Sequence, residues 1–163
     1  MTRRLPIEPL TREAFAPFGQ IIDAEGAEPH SINQGTTMRF HRLATIEAGR
    51  GGQAIISIFR STSRPLPIAI TLLERHPLGS QAFMPLSNDD WLVVVSERPV
   101  ASALRCFRAT GVQGVQYAKG TWHHPLLTIA PTQDFLIIDR DGPGDNIEEL
   151  TLTESVEIEI QDG

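Results

Sequence analysis

The chain has 163 residues, a net charge of −6 and an isoelectric point of about 5.3. Apolar residues make up 40% and charged residues 21%, as in ordinary globular proteins, so we expect one domain over residues 1–163. The acidic balance argues against nucleic acid as a partner, because nucleic-acid binding favours a basic surface.

The single cysteine, Cys106, excludes an internal disulfide, so folding requires no oxidising compartment. Residues 1–20 contain no apolar run typical of a signal peptide, and no stretch reaches transmembrane length. We therefore expect a cytoplasmic protein that has no membrane partner.

The first predicted element is a short helix, with Thr11 as its N-cap and Pro17 near its end. A strand is expected to begin near residues 21–23. A loop over residues 25–33 and an extended segment over residues 38–43 should follow.

Strand-like runs of β-branched and aromatic residues fill most of the remaining chain. They cover residues 54–59, 68–73, 91–96, 104–107, 115–117, 126–130 and 135–139. Asp145 and Glu148 have the spacing of a capping box and predict a second short helix, and residues 156–160 alternate like a half-exposed last strand. Many short strands with little helix predict an all-β sandwich, jelly roll or barrel.

Three of the five histidines, His76, His123 and His124, lie in two strand-like segments beside turn-forming glycine or proline. Imidazole groups can hold a metal or move protons near neutral pH. If the two segments meet in space, they form a site.

Alternation along the strand that begins at Ile68 predicts that Glu74 and His76 share a face with Ile68, Ile70 and Leu72. A carboxylate and an imidazole are therefore expected at the mouth of an apolar interior. Burial there is unfavourable unless a metal, a ligand or another side chain pairs with them.

The neighbouring segments supply further polar groups. Gln81 shares a face with Phe83 after the turn and can also point inward. His123 and His124 must face opposite sides of an extended strand, so only one of them can point inward, and His124 is expected to be structural.

These segments resemble the cupin superfamily, whose first motif reads H-x-H-x4-E and whose second motif ends in G-x-x-H. Glu74-x-His76-x4-Gln81 and Gly120-x-x-His123 occupy the two frames. Glu74 stands in place of the first histidine, and Gln81 stands in place of the usual glutamate. The resemblance implies a cupin-type β-barrel (double-stranded β-helix or jelly roll) with one or two short helices.

The closer resemblance is to the ureidoglycolate lyase family, cupin-type enzymes of purine and allantoin breakdown formerly called ureidoglycolate hydrolases. The strings that carry it are HSINQG at 30–35, ISIFR at 56–60, LERHPLGSQAFMP at 73–85, GVQYAKGTWHHPL at 114–126 and DFLIIDRDGPGDN at 134–146. Asp141 departs from the pattern, since the family commonly has glycine in this loop.

The resemblance implies a carbon–nitrogen lyase of the amidine-lyase type that splits ureidoglycolate into glyoxylate and urea. This cleavage requires a base, an acid and an anchor for the substrate carboxylate.

The resemblance also implies which residues serve the reaction. The expected catalytic residues are His76, His123, Glu74 and Lys119. The expected substrate-binding residues are Arg39, Arg60, His30 and Asn33. The expected metal ligands are His76, Gln81, His123 and Glu74, with nickel suggested as the divalent metal and no organic cofactor. The family resemblance and the need to protect open strand edges both favour a homodimer.

Two other functions stay open at this point. Two histidines and one carboxylate can also form the iron site of a cupin oxygenase, or serve a metal-dependent isomerase. The same barrel can also bind a small molecule without turning it over.

Overall fold

The chain folds almost entirely as β-strands. A computed structural model describes residues 2–161, whose helical content is one short α-helix, α1 (Arg12–Phe15), and single 3-10 turns at Asn33–Gly35 and Ala101–Ala103. None of the helices in these residues is long and apolar enough to cross a membrane. The strands are β1 (Arg3–Arg4), β2 (Ile7–Pro9), β3 (Gly19–Ile22), β4 (Pro29–Ile32), β5 (Thr37–Phe40), β6 (Gln53–Thr62), β7 (Ile68–Arg75), β8 (Gln81–Pro85), β9 (Trp91–Ser96), β10 (Leu104–Ala109), β11 (Gly114–Tyr117), β12 (Trp122–His123), β13 (Leu127–Thr128), β14 (Thr132–Asp141) and β15 (Glu148–Ile158).

Two sheets and a separate hairpin contain all of these strands. The larger sheet has the order β1-β15-β7-β12-β9-β10-β2, with β13 also paired to β9. The smaller sheet has the order β3-β11-β8-β14-β6, and β4 pairs only with β5. The predicted all-β architecture with few short helices is confirmed. The prediction of one domain over residues 1–163 stays a prediction, and Met1, Asp162 and Gly163 lie outside the described residues.

Two apolar cores lie on opposite faces of the larger sheet. Strand β9 is buried along its whole length: Leu92 and Val94 pack into one core, while Val93 and Val95 pack into the other. The second core, which we call the inter-sheet core, also contains side chains of the smaller sheet. These are Phe83, Val115, Tyr117, Phe135 and Ile137.

The N-terminal helix is confirmed, because the Thr11 hydroxyl oxygen accepts a hydrogen bond from the backbone N–H of Ala14 at 3.2 Å. The second helix, predicted from Asp145 and Glu148, is wrong. Glu148 instead begins β15 and pairs with Arg75 of β7, since the sheet ladder satisfies the backbone that a helix would have capped. The loop predicted over residues 25–33 ends early, because β4 begins at Pro29.

The predicted alternation along β7 is also wrong in part. Ile68 and Ile70 pack in the same core as Leu73, whereas Glu74 pairs with His123 on the opposite face. A bulge in β15, between its pairings at Thr151 and Val156, shifts the register beside this stretch of β7. Glu74 therefore faces the inter-sheet core without belonging to the stripe of Ile68 and Ile70.

Candidate metal and active site

The inter-sheet core ends in polar side chains on the smaller sheet. Alternation places Asp139 on the face of Phe135 and Ile137 in β14, and Gln81 on the face of Phe83 in β8. Tyr117 of β11 lies directly opposite Gln81 in the ladder. Polar groups from neighbouring strands are therefore gathered at one end of an apolar interior.

The larger sheet brings Glu74 and His123 to the same end. His123 pairs with Glu74 of β7 on one side and with Val95 of β9 on the other. Its ring stacks on Tyr117, with ring centroids 4.2 Å apart and an angle of 15° between the planes. This stack joins the two sheets at the site.

Glu74, His76 and His123 form a compact cluster. One ligand atom from each lies within 4.8 Å of the other two. The rings of His76 and His123 have centroids 5.2 Å apart, and His123 Nε2 lies 3.5 Å from Glu74 Oε1. His123 is buried, with 1% of its surface exposed, while Glu74 and His76 are half-buried and connect the cluster with solvent.

Backbone carbonyls fix the form of both imidazoles. His76 Nδ1 lies 2.8 Å from the carbonyl oxygen of Asn146, and His123 Nδ1 lies 3.0 Å from that of Thr121. A carbonyl oxygen only accepts, so each Nδ1 carries a proton and each ring turns its Nε2 toward the cluster. Both Nε2 atoms are buried without a hydrogen-bond partner among the described residues.

Gln81 adds a fourth lone pair. Its Nε2 donates to Asp139 Oδ2 at 3.1 Å, which leaves Oε1 buried and without a partner in the described chain. Two imidazole nitrogens and a carboxylate converge in the cluster, while the Gln81 amide oxygen is a buried acceptor opposite Tyr117, which stacks on His123. Imidazole nitrogens and carboxylate oxygens suit a divalent cation.

The electrostatics agree with an ionised Glu74. Contact with the His123 ring is the main cause that holds the pKa of Glu74 below its usual value, against the opposing effect of burial. His124 behaves differently, because burial lowers its pKa to about 4. Its Nδ1 donates to the carbonyl oxygen of Pro125 at 2.8 Å, so it lies outside the cluster, as its expected structural role requires.

Comparison with known proteins gives an independent result. The model of the family described as ureidoglycolate lyase matches residues 2–159. A Pseudomonas putida (strain W619) protein named ureidoglycolate lyase is 52% identical over 156 residues, which cover 93% of each chain. The chain belongs to the ureidoglycolate lyase family.

Two further relatives of that name show similar agreement. The protein of Pseudomonas syringae pv. syringae (strain B728a) is 52% identical over 157 residues, covering 94% of this chain and 92% of its own length. The protein of Stutzerimonas stutzeri (strain A1501) is 51% identical over 160 residues, which cover 96% of this chain and 94% of its own length. Family membership confirms the predicted resemblance, and the two packed sheets are consistent with its cupin-type barrel.

Of the predicted site residues, the structure brings together Glu74, His76 and His123, and it buries Gln81 opposite Tyr117 in the smaller sheet. Lys119 lies in an exposed turn, where its Nζ is 3.0 Å from Glu47 Oε1. Its neighbour Gly120 donates a backbone hydrogen bond to the carbonyl oxygen of His76 at 2.9 Å, which ties this turn to the cluster.

The other predicted binding residues lie apart from the cluster within a single chain. Arg60 donates two hydrogen bonds to Asp134, and its side chain is 73% exposed. Asp134 precedes the inward-facing Phe135, so this ion pair lies on the outer face of the smaller sheet. His30, Asn33 and Arg39 all lie on the β4–β5 hairpin and are exposed.

Sequence analysis missed three residues that shape the candidate site. Tyr117 stacks on His123, Asp139 orients Gln81, and Asn146 fixes His76 through its carbonyl oxygen. The Asn146 side chain also accepts from the backbone N–H of Leu78 at 2.8 Å. Alternation from Phe135 and Phe83 contained the signal for Asp139, but nothing local indicated the contacts of Asn146.

Proposed function

We propose that this chain is a ureidoglycolate lyase that cleaves ureidoglycolate to glyoxylate and urea in purine and allantoin breakdown. The observation that carries the proposal is the cluster of Glu74, His76 and His123 within a chain that matches the family over residues 2–159. The proposed reaction class is a carbon–nitrogen lyase of the amidine-lyase type.

The proposed reaction breaks one bond and moves one proton. The substrate hydroxyl loses its proton, its oxygen forms the carbonyl of glyoxylate, and the C–N bond breaks. The departing nitrogen of urea then gains a proton. No water is consumed, so the active site has to supply a base, an acid and a means of holding the substrate carboxylate.

We propose Glu74 as the group that accepts the hydroxyl proton or acts as a metal ligand. Its lowered pKa keeps it ionised, and its position beside His123 holds it at the polar end of the inter-sheet core. His76 and His123 present lone pairs to the same point, and both are proposed as catalytic groups and ligands.

The Glu74–His76–His123 cluster supports a divalent metal. We propose that His76, His123, Gln81 and Glu74 hold it, and we propose nickel from the family resemblance. A metal bound there would lower the pKa of the substrate hydroxyl and orient the substrate. No organic cofactor is proposed.

Lys119 is proposed as the acid or as an anchor beside the second motif. Its ion pair with Glu47 has to open for that role, and the exposed turn leaves it free to do so. We propose His30, Asn33, Arg39 and Arg60 as groups that bind the substrate. Arg60 has the weakest support, because Asp134 already occupies its guanidinium.

A homodimer is proposed on an apolar surface of the smaller sheet. Ile56 and Ile58 of the edge strand β6 are 70% and 54% exposed, an unusual degree for isoleucine side chains in a sheet. A cytoplasmic location without nucleic-acid or membrane partners is proposed from the acidic composition and the single cysteine.

One observation favours a second function: two histidines and one carboxylate are also the ligand set of non-haem iron oxygenases. Turnover that requires oxygen would support that function. Equal turnover with and without air would exclude it, and saturable binding of an organic acid without turnover would indicate a binding protein.

The decisive experiment is incubation with ureidoglycolate after chelation and after adding back single metals. We expect glyoxylate and urea to appear in equal amounts, activity to fall on chelation, and nickel to restore it. Ammonia in place of urea would contradict the lyase assignment. Full activity after verified metal removal would contradict the metal site but leave the lyase assignment intact.

A further inference from the structure

Among the described residues, the β4–β5 hairpin pairs with no other strand. All of its strand residues are exposed except the half-buried Phe40. Within residues 2–161, its hydrogen bonds join only its own residues, such as Asn33 Nδ2 to Thr37 Oγ1 at 3.3 Å and Thr36 Oγ1 to the Asn33 carbonyl at 2.8 Å. An isolated two-stranded hairpin is at best marginally stable in water, so this one needs a surface to cover it.

The tip of the hairpin is a tight turn. Asn33 and Gln34 adopt φ values of 53° and 60°, in the left-handed region that such hairpin turns use. The turn holds the two strands in register, so the side chains that face each other across the ladder are fixed.

The side chains that it presents suit an anionic ligand. His30 and Arg39 are directly opposite each other in the ladder, so they project from the same face. Together they offer a guanidinium fork and an imidazole, which can hold a carboxylate. They make no ion pair with any other described residue of their own chain.

The Glu74–His76–His123 cluster lacks this chemistry. The atoms that converge there are hydrogen-bond acceptors. Glu149 of β15 lies beside Glu74 in the sheet and adds a second carboxylate. Two arginines of this region already have partners: Arg75 pairs with Glu148 at 2.8 Å, and Arg140 donates to the carbonyl oxygens of Ala48 and Pro143. For a substrate carboxylate entering here, the same chain offers Lys119 once its ion pair with Glu47 opens, and the hairpin would add a guanidinium fork.

We propose that the β4–β5 hairpin of one subunit closes the Glu74–His76–His123 site of a second copy of this chain, with Arg39 and His30 binding the substrate carboxylate. A second copy is the fitting occupant for two reasons. First, the hairpin carries Arg39 and His30, whereas the site carries the carboxylate of Glu74. Second, both the hairpin and β6 expose apolar side chains, namely Met38, Ile56 and Ile58. In a two-fold dimer each such contact between the subunits occurs twice. This inference rests on the proposed lyase function.

Hybrid dimers test the proposal directly. Two differently tagged chains, one carrying Arg39→Ala and the other His123→Ala, are co-expressed and purified through both tags. Each homodimer should be nearly inactive. The hybrid should have about half of the wild-type turnover per dimer, because one of its two sites combines an intact cluster with an intact hairpin from the other subunit.

The matched control places both substitutions in one chain and none in the other. If the site is shared, both sites of this hybrid contain one altered part, and its activity should be nearly absent. If each chain completes its own site, the first hybrid should be nearly inactive and this control should have about half of the wild-type turnover. That outcome would overturn the proposal. His30→Ala serves as a second hairpin variant, and Arg42→Ala, just beyond β5, should keep wild-type activity.

Cross-linking gives a readout that does not need turnover. Asn33→Cys in one tagged chain and Glu149→Cys in the other should be joined by a bifunctional maleimide, since Cys106 is buried. Absence of the cross-linked hybrid, or unchanged kcat/KM in both Arg39→Ala and His30→Ala, would overturn the inference. An inactive wild-type enzyme that nevertheless cross-links would instead contradict the proposed function.

Discussion

The two site histidines owe their chemistry to backbone atoms. The carbonyl oxygens of Asn146 and Thr121 hold the Nδ1 protons of His76 and His123, so both rings present Nε2 to Glu74. His124 has the same chemistry in isolation and lies next to His123, but it donates to Pro125 and faces away. All three rings donate to a backbone carbonyl oxygen, so His124 differs from the other two in lying outside the cluster with Glu74.

Replacing the cluster histidines should affect catalysis far more than stability. We expect His76→Ala and His123→Ala each to lower kcat on ureidoglycolate by roughly 10²–10⁴-fold, the usual contribution of a group that acts on the transition state. Steady-state kinetics and urea denaturation measure the two effects, and the stability loss should be roughly 0.5–3 kcal/mol. His124→Ala is the control, since it should lose stability but keep kcat. Near-normal kcat in both cluster variants would disprove the site assignment.

His124 should also make stability depend on pH. Burial lowers its pKa in the folded chain to about 4 from 6.5, so the unfolded chain takes up the proton first as pH falls. Its contribution to the free energy of unfolding should be complete above pH 6.5 and be lost between 6.5 and about 4. We expect the free energy of unfolding to fall less between pH 7 and pH 4 in His124→Gln than in the wild type, by about 3 kcal/mol. If urea denaturation shows the same fall in both proteins, this prediction is wrong.

At the scale of elements, the loop between β14 and β15 positions the first motif. Asn146 in this loop binds the His76 ring with its backbone and the Leu78 N–H with its side chain. It therefore fixes the turn that leads from β7 into β8, and with it the separation of His76 from Gln81. A loop that would otherwise pass as a simple connection becomes part of the site.

Asn146→Ala should therefore weaken the metal site without removing a ligand. Loss of the hydrogen bond to Leu78 lets the turn and the His76 ring move, and such supporting contacts are worth about 10–100-fold in metal affinity. Competition with a chromogenic chelator measures the affinity, and kcat should fall in parallel. Asp141→Ala, an exposed change at the end of β14 just before this loop, is the control and should leave both unchanged. Equal metal affinity in the two variants would show that Asn146 does not support His76.

The strands themselves were largely predictable, because alternating apolar residues and turn signals are local properties. The run over residues 91–96 coincides with β9, and β6, β7, β10, β11 and β14 extend predicted runs by a few residues. The strands β1, β2, β4, β8 and β12 were not among the predicted runs. Which residues of β7 face the inter-sheet core was not predictable. The change of face along β7 occurs beside the bulge in β15, a strand far away in the sequence.

At the scale of the whole molecule, the outer face of the smaller sheet is divided into two parts. The part near β11 is covered, since Gln116 donates to the carbonyl oxygen of Thr45. The part near the edge strand β6 is apolar and exposed at Ile56 and Ile58. A second copy packed there would bury this surface and remove an open strand edge.

A charge on this surface should separate the subunits. We expect the wild type to sediment as a dimer at micromolar concentration and Ile58→Glu to shift it toward the monomer. Burying an unpaired carboxylate should weaken association by about tenfold or more. Val112→Glu, a comparably exposed apolar site in the turn between β10 and β11, should stay dimeric. A monomeric wild type would contradict both this prediction and the shared site.

The sequence by itself determined the all-β class, the helix capped by Thr11 and the family. It also predicted Glu74, His76, Gln81 and His123 as site residues. These depend on local patterns and on motif spacing along one or two strands. Only the tertiary structure decided that Tyr117, Asp139 and Asn146 hold those groups in place, and that the β4–β5 hairpin lies apart from the site of its own chain. Hydrogen bonds and ring stacking between distant strands set these relations, and no pattern within a single segment encodes which strands will meet.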